Sequence, residues 1–563
     1  MVDFRKAILL LAVLVFATGI VSAQALNCTL NGGNPPILRA EGVAEAVGQA
    51  FISCQGGSTL PRGSSVNRIN IRVFLGSFNV TSRWIGGNSS QPMLESMLLI
   101  DDPLPADQVW GHTSWPSTLP CTAPYNPVNC GNVFAATLVA PNAIEWRDIP
   151  FEPTGTTTAR TLRMVNIRVN AAKATGGSVS SLIPTTVQMY VAVSGLSITS
   201  PFLTVGYIQN GLSFSTSPGT LSFPQCGPRS TSNNLVLAGS FTVNFTEGFP
   251  YAFRPLFARD QNNNVIPQND LNQVYYTESM YFPITNPAWS AGQATQGTRL
   301  RLKFTGIPAN VVLVVPFNPS GSTWSVYAVD SNNFSTQLGL PNAVKLTNGE
   351  GEVVYEVSQA SGGTTETISI PVQVYYSGLP GLSTPDTSVN GTFAPLSTSD
   401  SGNFNLSIPR FYQTTGQQVA LSIAACETRL LFPFVASIPG YDTGLAIVNT
   451  SKDPFNTPKQ KGACTLFFYG TPSDSSQTSA EIDAGQALTM ILSQGNSAQN
   501  LQAVPNFVGY VIARCAFQYG HGYAFISDPG VNKFAQGYIA LVLQSSASPL
   551  IRGGSNSVES LGN

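Results

Sequence analysis

The chain has 563 residues; only 10% are charged, and the formal net charge is −2. An average globular protein carries roughly 25% charged residues, so the composition offers neither a basic field for nucleic acid nor an acidic tail. Length suggests about three domains, and a weakly charged surface repels its own copies little, which favours self-association.

In chain order, Arg5 and Lys6 precede an apolar run over residues 7–20, AILLLAVLVFATGI, followed by small residues up to Ala23 and Ala25. A basic start, a short apolar segment and an A-x-A-like site describe a cleavable secretory signal peptide. An anchoring helix would need roughly 20 apolar residues. We expect residues 1–23 to be removed, with Ala25 as the alternative site, leaving no membrane span. The expected location is extracellular or at the cell surface, with the periplasm as the other compartment that export reaches.

Cysteines in an exported chain read first as disulfides. The eight are Cys28, Cys54, Cys121, Cys130, Cys226, Cys426, Cys464 and Cys515. Proximity suggests Cys28–Cys54, Cys121–Cys130 and Cys464–Cys515, which leaves Cys226 and Cys426 to pair by elimination. No C-x-x-C pair occurs, and the chain has two histidines, His112 and His521. Zinc ligands recur at closer spacings; neither a metal nor any other cofactor is expected.

Beyond the leader the texture alternates with period two. RINIRVFL at 68–75, RMVNIRVN at 163–170 and VQMYVAV at 187–193 send one set of side chains to a core and the other to solvent. Turn formers such as Gly56-Gly57, Asn262-Asn263-Asn264 and Ser331-Asn332-Asn333 separate them. The fold class expected is all-β, tandem immunoglobulin-like or other β-sandwich domains with few short helices. Residues 39–50 and 270–281 are the best helical candidates.

The expected modules are an N-terminal sandwich over 24–216, a middle sandwich over 217–380 and a Ser/Thr/Pro/Gly-rich linker over 381–425. A C-terminal immunoglobulin-like sandwich follows over 426–544, with a disordered polar tail over 545–563. Seven strands are expected in the C-terminal module: 430–435, 444–449, 463–469, 487–492, 507–519, 522–526 and 537–543.

At several separated segments the chain resembles an uncharacterised group of secreted bacterial proteins associated with Acidobacteria. These are LRAEGVAEAVGQAFISCQGG at 38–57, NVTSR at 79–83, LLIDDP at 98–103, FTEGF at 245–249 and GTRL at 297–300. The nearest match is C-terminal: LLFPFV at 430–435, GYDTGLAIVNTS at 440–451 and FQYGHGYAFISD at 517–528. The resemblance implies export and tandem β domains; it brings no activity, cofactor or catalytic residue.

Some motifs invite chemistry. Asp442-Thr443-Gly444 has the tripeptide of aspartic proteases, whose mechanism needs two such aspartates sharing a proton; no second copy occurs, and Asp442 reads as a turn residue opening a strand. Asp260-Gln261-Asn262-Asn263-Asn264 looks like a calcium loop, but Val265 and Leu271 stand where glycine and a bidentate glutamate belong. Asp101 and Asp102 read as a strand end. Phe517, Tyr519, His521, Tyr523 and Phe525 recur at every second position. They form either an aromatic ladder on one strand or, as favoured here, the two arms of a hairpin whose tip is Gly520-His521-Gly522. Trp84, Trp110, Trp115 and Trp146 concentrate in the first module.

The function expected is a non-catalytic extracellular or cell-surface structural or adhesion protein, possible partners being its own copies in a matrix or filament. The alternative is a polysaccharide-binding protein using Trp84, Trp110 and Trp115 or Tyr519 and Tyr523. A hydrolase with an unrecognised site is the third reading.

Overall fold

A computed structural model describes residues 25–543, apart from 89, 115–116, 181–183, 226–234, 258–275, 280–290, 336–339, 362, 378–384, 401–405, 415, 425, 456, 458, 529 and 531–532. The leader with Ala23, the tail, Cys226 and the calcium-like loop lie outside the described residues. The protein is all-β. The helices among the described residues include two short α-helices, Pro127–Cys130 and Ala171–Thr175, each N-capped by an asparagine side chain, Asn126 and Asn170.

In the first domain one twelve-stranded sheet builds a main core, with two smaller clusters beside it. Its strand order is Ile198–Thr199, Asn27–Gly32, Ala50–Gly56, Gly155–Val165, Gln91–Ile100, Val133–Ala140, Ala143–Pro150, Arg68–Phe74, Thr185–Val193, Phe202–Gln209 and Ile37–Arg39, with Trp84–Asn88 beside Gln91–Ile100. The alternation reads through: in Arg68–Phe74, Ile69, Ile71 and Val73 are buried while Asn70 and Arg72 are exposed.

The middle domain is a sandwich of six and seven strands over one core. Two sequence boundaries are corrected here. Leu212–Ser217 pairs with Val236–Glu247, so the domain starts before residue 217. The stretch 381–425 is not a linker: Thr387–Ala394 and Gln418–Ala424 are adjacent strands of the seven-stranded sheet. Ser, Thr and Gly dominate that stretch, yet Val389, Phe393, Leu421 and Ile423 carry enough apolar surface to bury one face. The expected helix over 39–50 is corrected too. Those residues form Ile37–Arg39, Glu45–Ala46 and the start of Ala50–Gly56, with the charged side chains turned inward. The other helical candidate, 270–281, lies mostly outside the described residues.

The inward charges join the first two domains. Arg39 donates through Nε to Glu45 (2.9 Å) and through both terminal nitrogens to Glu278 (2.7 and 3.1 Å). It also donates to the Ala252 carbonyl and the Thr298 hydroxyl, and its guanidinium lies 4.7 Å from the Phe411 ring centre. Alongside, Arg168 faces Glu95 at 3.3 Å and donates to the Glu278 carbonyl. Burial works against the Arg39 charge, but Glu278 and Glu45 outweigh it and hold its pKa above the ordinary value. Burial likewise opposes the Glu278 carboxylate, and Arg39 more than offsets it, so that pKa is lowered.

The C-terminal domain packs a five-stranded against a four-stranded sheet. The first has the order Ser475–Thr478, Cys464–Thr471, Phe507–Cys515, Thr428–Ser437, Leu541–Leu543; the second has Ala487–Ile491, Asp442–Asn449, Gly520–Asp528, Phe534–Ile539. Two of its nine strands escape the sequence reading. Ser475–Thr478 is wholly polar, and the segment 537–543 divides at Ala540, where the chain leaves one sheet for the other. Cys28–Cys54, Cys121–Cys130 and Cys464–Cys515 are disulfides, and Cys426 is also disulfide-bonded.

Arg39→Met removes one partner of a buried charge cluster and takes from Glu278 and Glu45 their nearest cation, leaving Arg254 at 3.7 Å from Glu45; such a loss costs about 3–5 kcal/mol, to be read from chemical denaturation. A pH effect follows from Glu41 and Glu247. Burial pushes each carboxyl up to about 7, against backbone N–H bonds that favour the charge, and Glu366 adds to the effect at Glu247. Since the folded-state values lie above the unfolded ones, the folded state holds the extra protons, and stability falls as pH rises from about 4.5 to about 7. Glu366→Gln should flatten that fall; denaturation midpoints at pH 5 and pH 8 check it.

Candidate functional site

Exposed large apolar side chains gather in the C-terminal domain, which holds more than half of those among the described residues. They arise from strand alternation with the outward positions left apolar. In Gly520–Asp528 the inward set is Gly520, Gly522, Ala524, Ile526 and Asp528; the outward set is His521, Tyr523, Phe525 and Ser527. Tyr523 and Phe525 are 46% and 43% exposed.

Register builds a groove from this. One row across the four-stranded sheet reads Ile491, Gly444, Phe525, Gly537; the next reads Thr489, Ala446, Tyr523, Ile539. Gly444 and Ala446 form a low floor between Ile491 and Thr489 on one side and Phe525 and Tyr523 on the other. The groove holds about 390 Å³. A Cβ on Gly537 would stand 1.8 Å from the Tyr523 hydroxyl oxygen, so the phenol ring lies across the strand Phe534–Ile539 and only glycine leaves it room. No Asp, Glu, Lys or Arg lines the groove. Such a surface suits apolar contact, whether the side chains of an extended chain or the faces of sugar rings.

The sequence candidates fall into several places. The favoured hairpin tip at Gly520-His521-Gly522 is corrected: the bend covers residues 516–519, Tyr519 takes a positive φ of 61°, and His521 stands half-buried inside a continuous strand. Phe517 and Tyr519 are therefore core residues while Tyr523 and Phe525 face outward. A period-two count could not show where the strand begins. Asp442 accepts hydrogen bonds from the Thr443 and Ser493 backbones and the Ser493 hydroxyl, a local role, whereas Gly444 of the same tripeptide is groove floor.

In the first domain Trp146 is fully buried, Trp84 packs against the main core, and Trp110 packs against a smaller cluster and lies 4.8 Å from the His112 ring. Trp115 lies outside the described residues. Burial lowers the His112 pKa to about 4, which keeps it neutral at physiological pH. Asp101 and Asp102 take positive φ at the end of Gln91–Ile100 and face Arg160 and Arg163. Among the described residues no group of three or more His, Cys, Asp or Glu could hold a metal ion, and no helix is long and apolar enough to cross a membrane.

No family model and no curated protein matches this chain. Among solved structures it is similar to the C-terminal domain of the AgI/II polypeptide BspA of Streptococcus agalactiae, at 8% identity over 69% of this chain and 100% of that one, with a TM-score of 0.22. It is also similar to BcpA, the major pilin subunit of Bacillus cereus, at 9% identity over 83% of this chain and 96% of that one, with a TM-score of 0.18. A third is the BSP domain of a biofilm associated protein, at 8% identity over 94% and 97% of the two chains, with a TM-score of 0.16. Likenesses at these scores carry no functional argument.

The two faces of the sheet should answer differently to substitution. A Cβ on Gly444 would meet only the Phe525 carbonyl, at 3.9 Å, whereas on Gly522 it would stand 2.7 Å from Phe432 and 2.8 Å from Ala540. Gly444→Leu should fill the groove and leave stability nearly unchanged. Gly522→Leu should cost about 1–3 kcal/mol by overpacking. Paired thermal melts read both.

Proposed function

We propose that this chain is a non-catalytic structural or adhesion protein working outside the cytoplasm, at the cell surface or beyond it, and that its C-terminal domain supplies the contact surface. The observation that carries this reading is the apolar outward face of that domain: Tyr523, Phe525, Ile491 and Ile539 stand in register around a floor of Gly444 and Ala446. Solvent-facing positions of an antiparallel sheet are ordinarily polar, and a contiguous apolar patch marks an interaction site. The disulfides favour an oxidising compartment, and the signal-like N-terminus supplies a route to it. The buried charges have a structural role as the seam between the first two domains.

Immunodetection on intact cells, with and without external protease, tests the reading. Signal on unpermeabilised cells or in the medium is expected; protein found only in the cytoplasm would end it. A second reading has one observation in its favour, the exposed Tyr523 phenol braced with its hydroxyl end over Gly537; an exposed aromatic ring is the kind of surface on which a pyranose face stacks. Glycan arrays decide it: binding that Tyr523→Ala abolishes supports a polysaccharide ligand, and an empty array removes it.

A further inference from the structure

The two sides of the C-terminal sandwich are finished differently. On one side the edge strands are sealed by the chain itself. Gln499 accepts from the Thr489 backbone N–H (2.8 Å) and donates to the Ala487 carbonyl (2.8 Å), while Asn496 donates to the Thr489 carbonyl (2.8 Å). On the same side Gln477 of Ser475–Thr478 exchanges hydrogen bonds with the Gln502 backbone, and Asn500 donates to the Thr478 carbonyl. The segment 496–502 thus closes both sheets with side-chain amides.

On the other side both sheets end in consecutive residues, Phe534–Ile539 in one and Leu541–Leu543 in the other, each paired on one flank only among the described residues. The run FAQGYIALVL over 534–543 has no charge and no proline. Five residues of Phe534–Ile539 are exposed, Ile539 by 74%. Natural edges are usually blunted with a lysine, a proline, a bulge or a covering loop. Within Phe534–Ile539 there is no such residue, and its ladder with Gly520–Asp528 runs without a register shift. An open row of backbone donors and acceptors is satisfied by another β-strand.

We propose that the partner strand is the same strand of a second copy of this chain, which deepens, and rests on, the structural reading above. A strand pairing with its own copy antiparallel forms a two-fold, isologous contact. Residues directly opposite must point to the same face, which allows an axis through Gly537, with Ala535 opposite Ile539 of the second copy. The hydroxyl end of Tyr523 lies over Gly537, which turns the two phenol hydroxyls towards each other across that axis. Ile539 gains an apolar neighbour, and two four-stranded sheets become one of eight. The net charge of −2 on 563 residues offers little repulsion against the approach.

The test is sedimentation equilibrium of the purified mature protein over a concentration series up to about 100 µM, alongside Ile539→Lys and, as a second edge variant, Ala535→Lys. Both sites face solvent, so unchanged thermal melts are expected and serve as the folding check. Thr478→Lys, on the sealed side, is the control. A concentration-dependent dimer weakened at least about tenfold by either edge lysine, and untouched by the control, supports the proposal. So does amide exchange over 534–543 that slows only as the protein associates. A strict monomer throughout, as follows if residues 544–563 cover the strand, overturns it, and so does a dimer indifferent to both lysines. Surface location on intact cells can hold when this test fails, and cytoplasmic location can defeat the functional reading while the dimer persists.

Discussion

The guanidinium of Arg39 is the point on which the first two domains depend. It has five donors, and Glu45 of its own domain and Glu278, Ala252 and Thr298 of the next take them up. A charge this deep is tolerated only when fully matched, so the two domains must sit in one arrangement for any of these groups to be satisfied. A chain with few charges has placed many of them in this seam: Arg83, Glu95, Arg168 and Arg254 are buried there too. Arginine suits the task better than lysine because its planar fork can address several oxygens at once.

Much of the fold was legible because alternation is a local signal. RINIRVFL and VQMYVAV read as strands from spacing alone, and, Ser475–Thr478 apart, the C-terminal strands from 428 to 528 fall close to where the pattern puts them. What escaped was decided by partners far away in sequence. Residues 39–50 look amphipathic, and only Glu278 and Ala252, more than two hundred positions on, explain why Arg39 points inward. Thr387–Ala394 hides in a Ser/Thr-rich stretch because its neighbour Arg299–Thr305, not its composition, makes it a strand.

The site was half legible. Tyr523 and Phe525 stood out by spacing, but whether they faced core or solvent turned on a bend at 516–519, whose glycine-free left-handed residue, Tyr519, gives no warning. The groove floor was present as the third residue of an Asp-Thr-Gly tripeptide and carried no signal of its own, since glycine is informative only once its neighbours are known. Of the first module's tryptophans, Trp84 and Trp110, offered only for the alternative polysaccharide reading, pack against core clusters, and Trp146, which was not offered for it, is fully buried, as large aromatics more often are.

The disulfides Cys28–Cys54 and Cys464–Cys515 each join residues directly opposite on adjacent strands of one sheet. That placement matters under mechanical load. If tension were applied through the N-terminus, the strand Asn27–Gly32 could not be peeled past its second residue, because the bond at Cys28 passes the force straight to Cys54. The 26-residue separation bridged there withholds roughly 90 Å of contour from extension. The bridge at Cys464, spanning 51 residues, withholds about 180 Å more. A tether built this way would give only through strands outside the bridged loops, such as Gly155–Val165 and Thr428–Ser437.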